Sequence, residues 1–159
     1  MKIDIDIREV ARYMKLGAQP LEGELLARVR KLIAEAPVDA RGVWCAEDDR
    51  LLLCGTIGAR FDQWQRRLSV GGATDALISQ AIGATAVEAV MDVLEAEAKA
   101  ETPGTWGQRR SPGYGAMPLS DSAAILTRLD ATKRIGVACT ADFLLVPTKS
   151  VTAVCERRK

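Results

Sequence analysis

Arg109-Arg110-Ser111-Pro112-Gly113-Tyr114 is the stretch of this chain best equipped for binding chemistry. Proline fixes φ at Pro112 and glycine permits positive φ at Gly113, so the turn presents successive backbone N–H and C=O groups beside the Tyr114 ring. Such a turn suits an adenine edge or a carboxylate. The arginine adds bidentate recognition of an anion, or of a carboxylate such as Glu88. The competing reading is an ordinary structural turn with surface arginines.

Glu88 is the only charge between Ala81 and Met91. On a helix its neighbours at i−4, i−7 and i+3 are Ala84, Ala81 and Met91, a small-residue face that a backbone or a ligand can approach closely. An unpaired carboxylate buried there would be costly, so Glu88 needs a cation or several donors, unless it simply reaches water at the rim. The remaining candidates are weaker. Asp75, Asp92, Asp4 and Asp6 read as solvated carboxylates at helix or strand edges. Gly71-Gly72 lacks the lysine and spacing of a phosphate loop and reads as a helix break. Lys149-Ser150, after Pro147, could contact an anion or simply form a solvated turn.

The composition limits the chemistry further. The chain has no histidine, which removes the usual general base, the commonest zinc ligand and any Ser-His or Cys-His dyad. Cys45, Cys54, Cys139 and Cys155 show no C-x-x-C spacing and read as reduced core thiols, so no metal site is expected. A net charge of +1 over 159 residues points to no nucleic-acid partner. Charges in Met1–Asp6 break any signal-peptide pattern, and the expected location is cytoplasmic. The longest apolar stretch, Ala76–Leu94, is interrupted by Gln80, Glu88 and Asp92 and reads as a core helix rather than a membrane span.

Around these residues the periodicity predicts the positioning elements. Ile7, Val10, Ala11 and Met14 mark a short helix, and Leu21, Leu25, Val29, Leu32 and Ile33 a second one ending at Pro37. Residues 42–46 and 51–54 form a β-hairpin around Glu47–Arg50. A helix carrying Phe61, Trp64 and Leu68 precedes a long central helix from about Thr74 to Lys99. Residues 102–118 crowd Pro and Gly into a shaped loop. One helix then runs from Ser120 or Asp121 to about Lys133, followed by β-runs at 135–140, 143–146 and 151–155. The expected fold is α+β, a twisted antiparallel sheet packed on the long central helix. It forms a single domain over 1–159, with a short N-terminal helical segment (1–40) and a core (41–159).

Taken in order, Arg66–Val70, Gln80–Glu88, Arg109–Gly115 and Thr140–Val154 resemble the activation domain of cobalamin-dependent methionine synthase, particularly its small freestanding relatives. The similarity spans about residues 50–155. The resemblance implies S-adenosylmethionine as cofactor, bound by Glu88, Arg109, Ser111, Gly113 and Tyr114. It pairs Arg109 with the methionine carboxylate, Glu88 with the ammonium, and the backbone around Ser111 and Gly113 with the adenine. It implies a reactivation role, in which S-adenosylmethionine remethylates an inactive cobalamin while a reductase supplies an electron. The cobalamin would be carried by a partner, the cobalamin-binding module of a methionine synthase or another corrinoid protein, with no catalytic residue required of this chain. In the family's large version an N-terminal extension bearing an aspartate and an aromatic segment beyond the last strand complete the pocket, so the resemblance implies that the residues of this sequence supply only part of it. The alternative is therefore a non-catalytic module that binds and stabilises a corrinoid protein and has lost S-adenosylmethionine binding.

Overall fold

The computed structural model describes residues 1–159. Helices α1 (Ile7–Tyr13) and α2 (Gly23–Glu35) precede a hairpin of β1 (Arg41–Ala46) and β2 (Arg50–Thr56). Next come α3 (Ala59–Gly71), α4 (Ala73–Glu101), α5 (Asp121–Leu129) and α6 (Ala131–Ile135), then β3 (Ala138–Cys139), β4 (Leu145–Val146) and β5 (Ser150–Glu156). Local chemistry explains the boundaries. Asp6 caps α1 by accepting from the Arg8 N–H at 2.8 Å, and the extended backbone of Gly72 separates α3 from α4.

The main sheet is antiparallel in the order β1-β2-β5. Strand alternation divides its side chains between two helical layers. Leu51, Leu53, Ala153 and Cys155 join the larger core with Ile82, Val90, Met91 and Leu94 of α4, while Val43, Leu52, Cys54 and Val154 pack with Ile125, Leu126 and Leu129 of α5. Val10 of α1, Met14 at its C-terminal cap, and Val29 and Leu32 of α2 lie in the same cluster as α4. Close approach of α4 to the sheet depends on two glycines. A Cβ at Gly42 would sit 2.5 Å from Leu94 Cδ1, and one at Gly55 would sit 2.7 Å from Val90 Cγ1.

The long central helix and the hairpin match the sequence expectation, and α4 passes the length and hydropathy criteria of a membrane span while lying in the core. The C-terminal third differs in three respects. The single helix expected to Lys133 is two, because Asp130 takes a left-handed φ of 50°. Ile135, expected to open a strand, closes α6. Of the three expected strands, only 150–156 joins the main sheet; β3 and β4 form a separate two-residue ribbon turned by Phe143 at φ 62°. β-propensity alone does not distinguish a central strand from a short ribbon over a helix pair.

Candidate functional site

The segment from Thr105 to Arg110 runs as a strap along the outer edge of β5. Gly107 donates to the Glu156 carbonyl, and Arg110 and Val154 exchange both backbone hydrogen bonds, each at 2.8 Å. Trp106 anchors the strap. Its buried ring lies under the Arg157 guanidinium at 4.5 Å, and its Nε1 donates to the Thr102 carbonyl at 3.1 Å.

Beyond Arg110 the chain leaves the edge and turns. Gly113 has φ 89°, its N–H donates to the Met117 carbonyl at 2.9 Å, and the Tyr114 N–H donates to the Ser111 carbonyl at 3.3 Å. The positive φ is why glycine is needed here. A cleft of about 610 Å³ opens between this turn, the start of α5, the 143–148 hairpin and the first residues of β5. Glu88, Arg109, Ser111 and Tyr114 line it. Gly113 does not; it shapes the turn, and a Cβ there would meet Leu119 Cδ1 at 3.2 Å. Tyr114 is 77% exposed and stands at the rim.

Arg109 reaches back from the turn to α4. Its Nη2 lies 2.6 Å from Glu88 Oε2, and its Nη1 lies 2.7 Å from both Asp92 Oδ1 and Glu95 Oε2. The pairing with Glu88 anticipated from the sequence is present, and the guanidinium is not free. Asp92, expected to be merely solvated, is 71% exposed yet holds the arginine. Asp75, read the same way, pairs with Arg28. Residues 88, 92 and 95 recur at i, i+4 and i+7, which places all three carboxylates on one face of α4; that spacing was the available signal for Asp92 and Glu95.

The electrostatics follow from this arrangement. Burial works against the charge on Arg109, but the bonds to Asp92, Glu95 and Glu88 outweigh it and hold its pKa above the ordinary value. Burial likewise pushes the Glu95 carboxyl up, and hydrogen bonds from Lys99 and Arg109 bring it below its usual 4.5. Glu88, Asp92 and Glu95 are thus shared between two cations, Arg109 and Lys99, and of this cluster only Glu88 and Arg109 line the cleft. Lys149, considered for an anion from the sequence, lies elsewhere. Its stem crosses Gly83 and its Nζ donates to Gln80 Oε1 at 2.7 Å, with burial lowering its pKa against the charge of Asp62.

The fold and cleft define an α+β domain with a twisted antiparallel sheet, one long helix and a small-molecule-sized site at a sheet edge. No protein-family model matches the chain, and no curated protein matches it. Among solved structures, it is similar to the crystal structure of the MetH reactivation domain bound to AdoHcy, with a TM-score of 0.70 and 16% identity, covering 95% of this chain and 75% of that one. At that identity the likeness is one of fold.

Proposed function

We propose that this chain binds S-adenosylmethionine in the cleft at the 109–115 turn and acts as a reactivation module for the cobalamin of a methionine synthase or another corrinoid methyltransferase. The observation that carries this reading is the convergence of Glu88, Arg109, Ser111 and Tyr114 on one cleft of about 610 Å³, within the ~300–1,000 Å³ range of small-molecule sites. The likeness in fold to a domain crystallised with AdoHcy supports it. The Glu88 carboxylate on the cleft wall suits a ligand with a cationic ammonium.

When bound, S-adenosylmethionine would supply the methyl group and leave as S-adenosylhomocysteine, and the partner's cobalamin, reduced by one electron from a reductase, would be the acceptor. This chain then binds and orients; no base or nucleophile is required of it. Glu88 takes the ammonium, Ser111 and Tyr114 flank the nucleoside, and Gly113 holds the turn open. A ligand carboxylate reaches Arg109 by displacing Asp92, the most exposed of its three partners.

Calorimetry with S-adenosylmethionine and S-adenosylhomocysteine tests the reading. Micromolar or tighter binding is expected, lost in Glu88→Ala. No heat with either compound, with the corrinoid partner also present, would overturn it. A second reading, a docking module without methyl transfer, draws on the exposed apolar residues Tyr114, Leu119 and Leu144 around the cleft. It predicts partner capture that persists in Glu88→Ala, without labelled methyl reaching cobalt.

A further inference from the structure

The outer edge of β5 is satisfied at one end and open at the other. Arg157 donates to the Asp49 carbonyl, and the Lys149 carbonyl accepts from Ile57, so odd-numbered residues of this stretch bond to the β2 side. Even-numbered residues therefore direct their N–H and C=O outward. Val154 meets Arg110 there, with both bonds formed. The next outward pair in the same register is Thr152 opposite Pro112. Proline has no N–H to donate, and the chain turns away, so the ladder stops. Thr152 lines the cleft and is only 2% exposed, and neither its N–H nor its C=O has a partner in the chain. A buried main-chain donor and acceptor normally find partners.

We infer that the Thr152 main chain reads the edge of the ligand's heteroaromatic base, its N–H and C=O pairing with an adjacent ring acceptor and exocyclic amino donor such as adenine presents. This rests on the proposed nucleoside ligand and adds a contact on the wall of the cleft facing the turn. The opening is too short for an extended peptide, since only Ser150 and Thr152 face outward before the 143–148 hairpin closes the edge. Ser150 is already tied down, its hydroxyl bonded to the Pro147 carbonyl at 2.6 Å. The Thr152 hydroxyl is likewise occupied, 3.1 Å from Ser122 Oγ, which leaves its backbone for the ligand.

Two substitutions separate backbone from side chain. Thr152→Val keeps the N–H and removes the hydroxyl. Thr152→Pro deletes the outward N–H at a position where an edge strand tolerates proline. The expected result is S-adenosylhomocysteine affinity about tenfold weaker in Thr152→Pro than in Thr152→Val, the two sharing the loss of the hydroxyl bonded to Ser122 and differing in the N–H. The hypoxanthine analogue, whose six-position accepts rather than donates, should bind wild type at least about tenfold more weakly than the adenine compound. With 15N-labelled wild-type protein, the Thr152 amide should shift downfield and gain exchange protection on adding S-adenosylhomocysteine; this measurement decides the matter if Thr152→Pro does not fold. Wild-type binding with an unmoved Thr152 amide and equal affinity for both bases would overturn this inference alone. Absence of wild-type binding would overturn the proposed function and this inference with it. A Thr152 amide that responds to extended peptides and not to the nucleoside would replace the base with a peptide strand.

Discussion

The two ends of the β5 outer edge differ in a way that separates structure from site. From Val154 to Arg158 the edge is closed by the 105–110 strap, with backbone bonds at Arg110, Gly107 and Arg158 and the buried Trp106 ring beneath Arg157. At Thr152 the same edge is open, and a cleft occupies the place where another strand pair would be. One residue type accounts for the switch. Pro112 cannot continue the ladder that Arg110 starts, and Gly113 then takes the backbone into a conformation disfavoured for other residues. A sheet edge is a liability when left open, and here it is closed wherever it does not border the cleft.

Arg109 belongs to both ends, so its removal should have the largest effect. Arg109→Ala leaves Glu88 and Asp92 without their cation and Glu95, only 16% exposed, with Lys99 alone. Breaking a buried pair from one side costs about 3–5 kcal/mol when the remaining charge stays buried and unpaired, and less here because Asp92 reaches water and Glu95 keeps Lys99. Denaturant unfolding should show the loss, and ligand binding should disappear with it. Retention of wild-type stability would mean that the strap and the turn are not coupled through α4. Trp106→Ala tests the closed end alone. About 3 kcal/mol of stability should be lost, with ligand affinity in the remaining folded protein unchanged. Equal damage to binding would erase the distinction between the two ends.

Pro112→Ala addresses the open end. It restores an N–H opposite the Thr152 carbonyl and lets the ladder extend by one pair, so the cleft should narrow. Ligand affinity should fall about tenfold, equivalent to about 1.4 kcal/mol, while the melting temperature holds or rises. A melting temperature that falls together with unchanged affinity would show that proline at this position serves the turn rather than the cleft.

How far these regions were legible in the sequence depends on the range of the signal. The turn could be read locally, because Pro112 and Gly113 each impose a backbone restriction independent of the surroundings. The central helix could be read from the length of its apolar pattern, and the hairpin from two β-prone runs around Glu47–Arg50. The Arg109 network was half legible. Glu88 stood out against its apolar neighbours, whereas Asp92 and Glu95 sit in the charged half of α4, where a carboxylate is ordinary until an arginine reaches it from a distant segment. Thr152 carried no signal at all. Its outward N–H and C=O follow from strand register and from Pro112 lying opposite, and register between remote segments is a property of the whole fold. The ribbon of β3 and β4 was misjudged for the same reason, since nothing local records which strand a short β-run will meet.

The acid response gives a smaller effect that bears on the α4 end of the cleft. Burial opposes ionisation of Glu95, but Lys99 and Arg109 bring its folded pKa below its usual 4.5. Because the folded state binds the proton less readily than the unfolded one, the stabilisation is complete above about pH 4.5 and disappears as pH falls through the lower folded value. Stability measured from neutral to acid pH should therefore fall in that window, and Glu95→Gln should flatten the fall. An unchanged acid slope in Glu95→Gln would place the acid sensitivity on other carboxylates.

The smallest expected effect is the most specific to the ligand. Asp92 is the most exposed of the three carboxylates on Arg109, and its bond to Nη1 is shared with Glu95. An exposed ion pair contributes about 0–1 kcal/mol, so Asp92→Asn should leave stability almost unchanged. It removes one competitor for the guanidinium and one negative charge beside the cleft. These two consequences oppose each other for a zwitterionic ligand, whose carboxylate gains access while its ammonium loses attraction. Comparing S-adenosylhomocysteine with its decarboxylated analogue resolves them. If the ligand carboxylate reaches Arg109 by displacing Asp92, the ratio of the two affinities should move severalfold in favour of the carboxylate-bearing compound, about 1 kcal/mol at most by the strength of the pair released. A ratio unmoved by Asp92→Asn would mean that Arg109 stays on its three carboxylates when the ligand is bound, as a positioning residue that holds the turn against α4, and that the ligand carboxylate is held elsewhere.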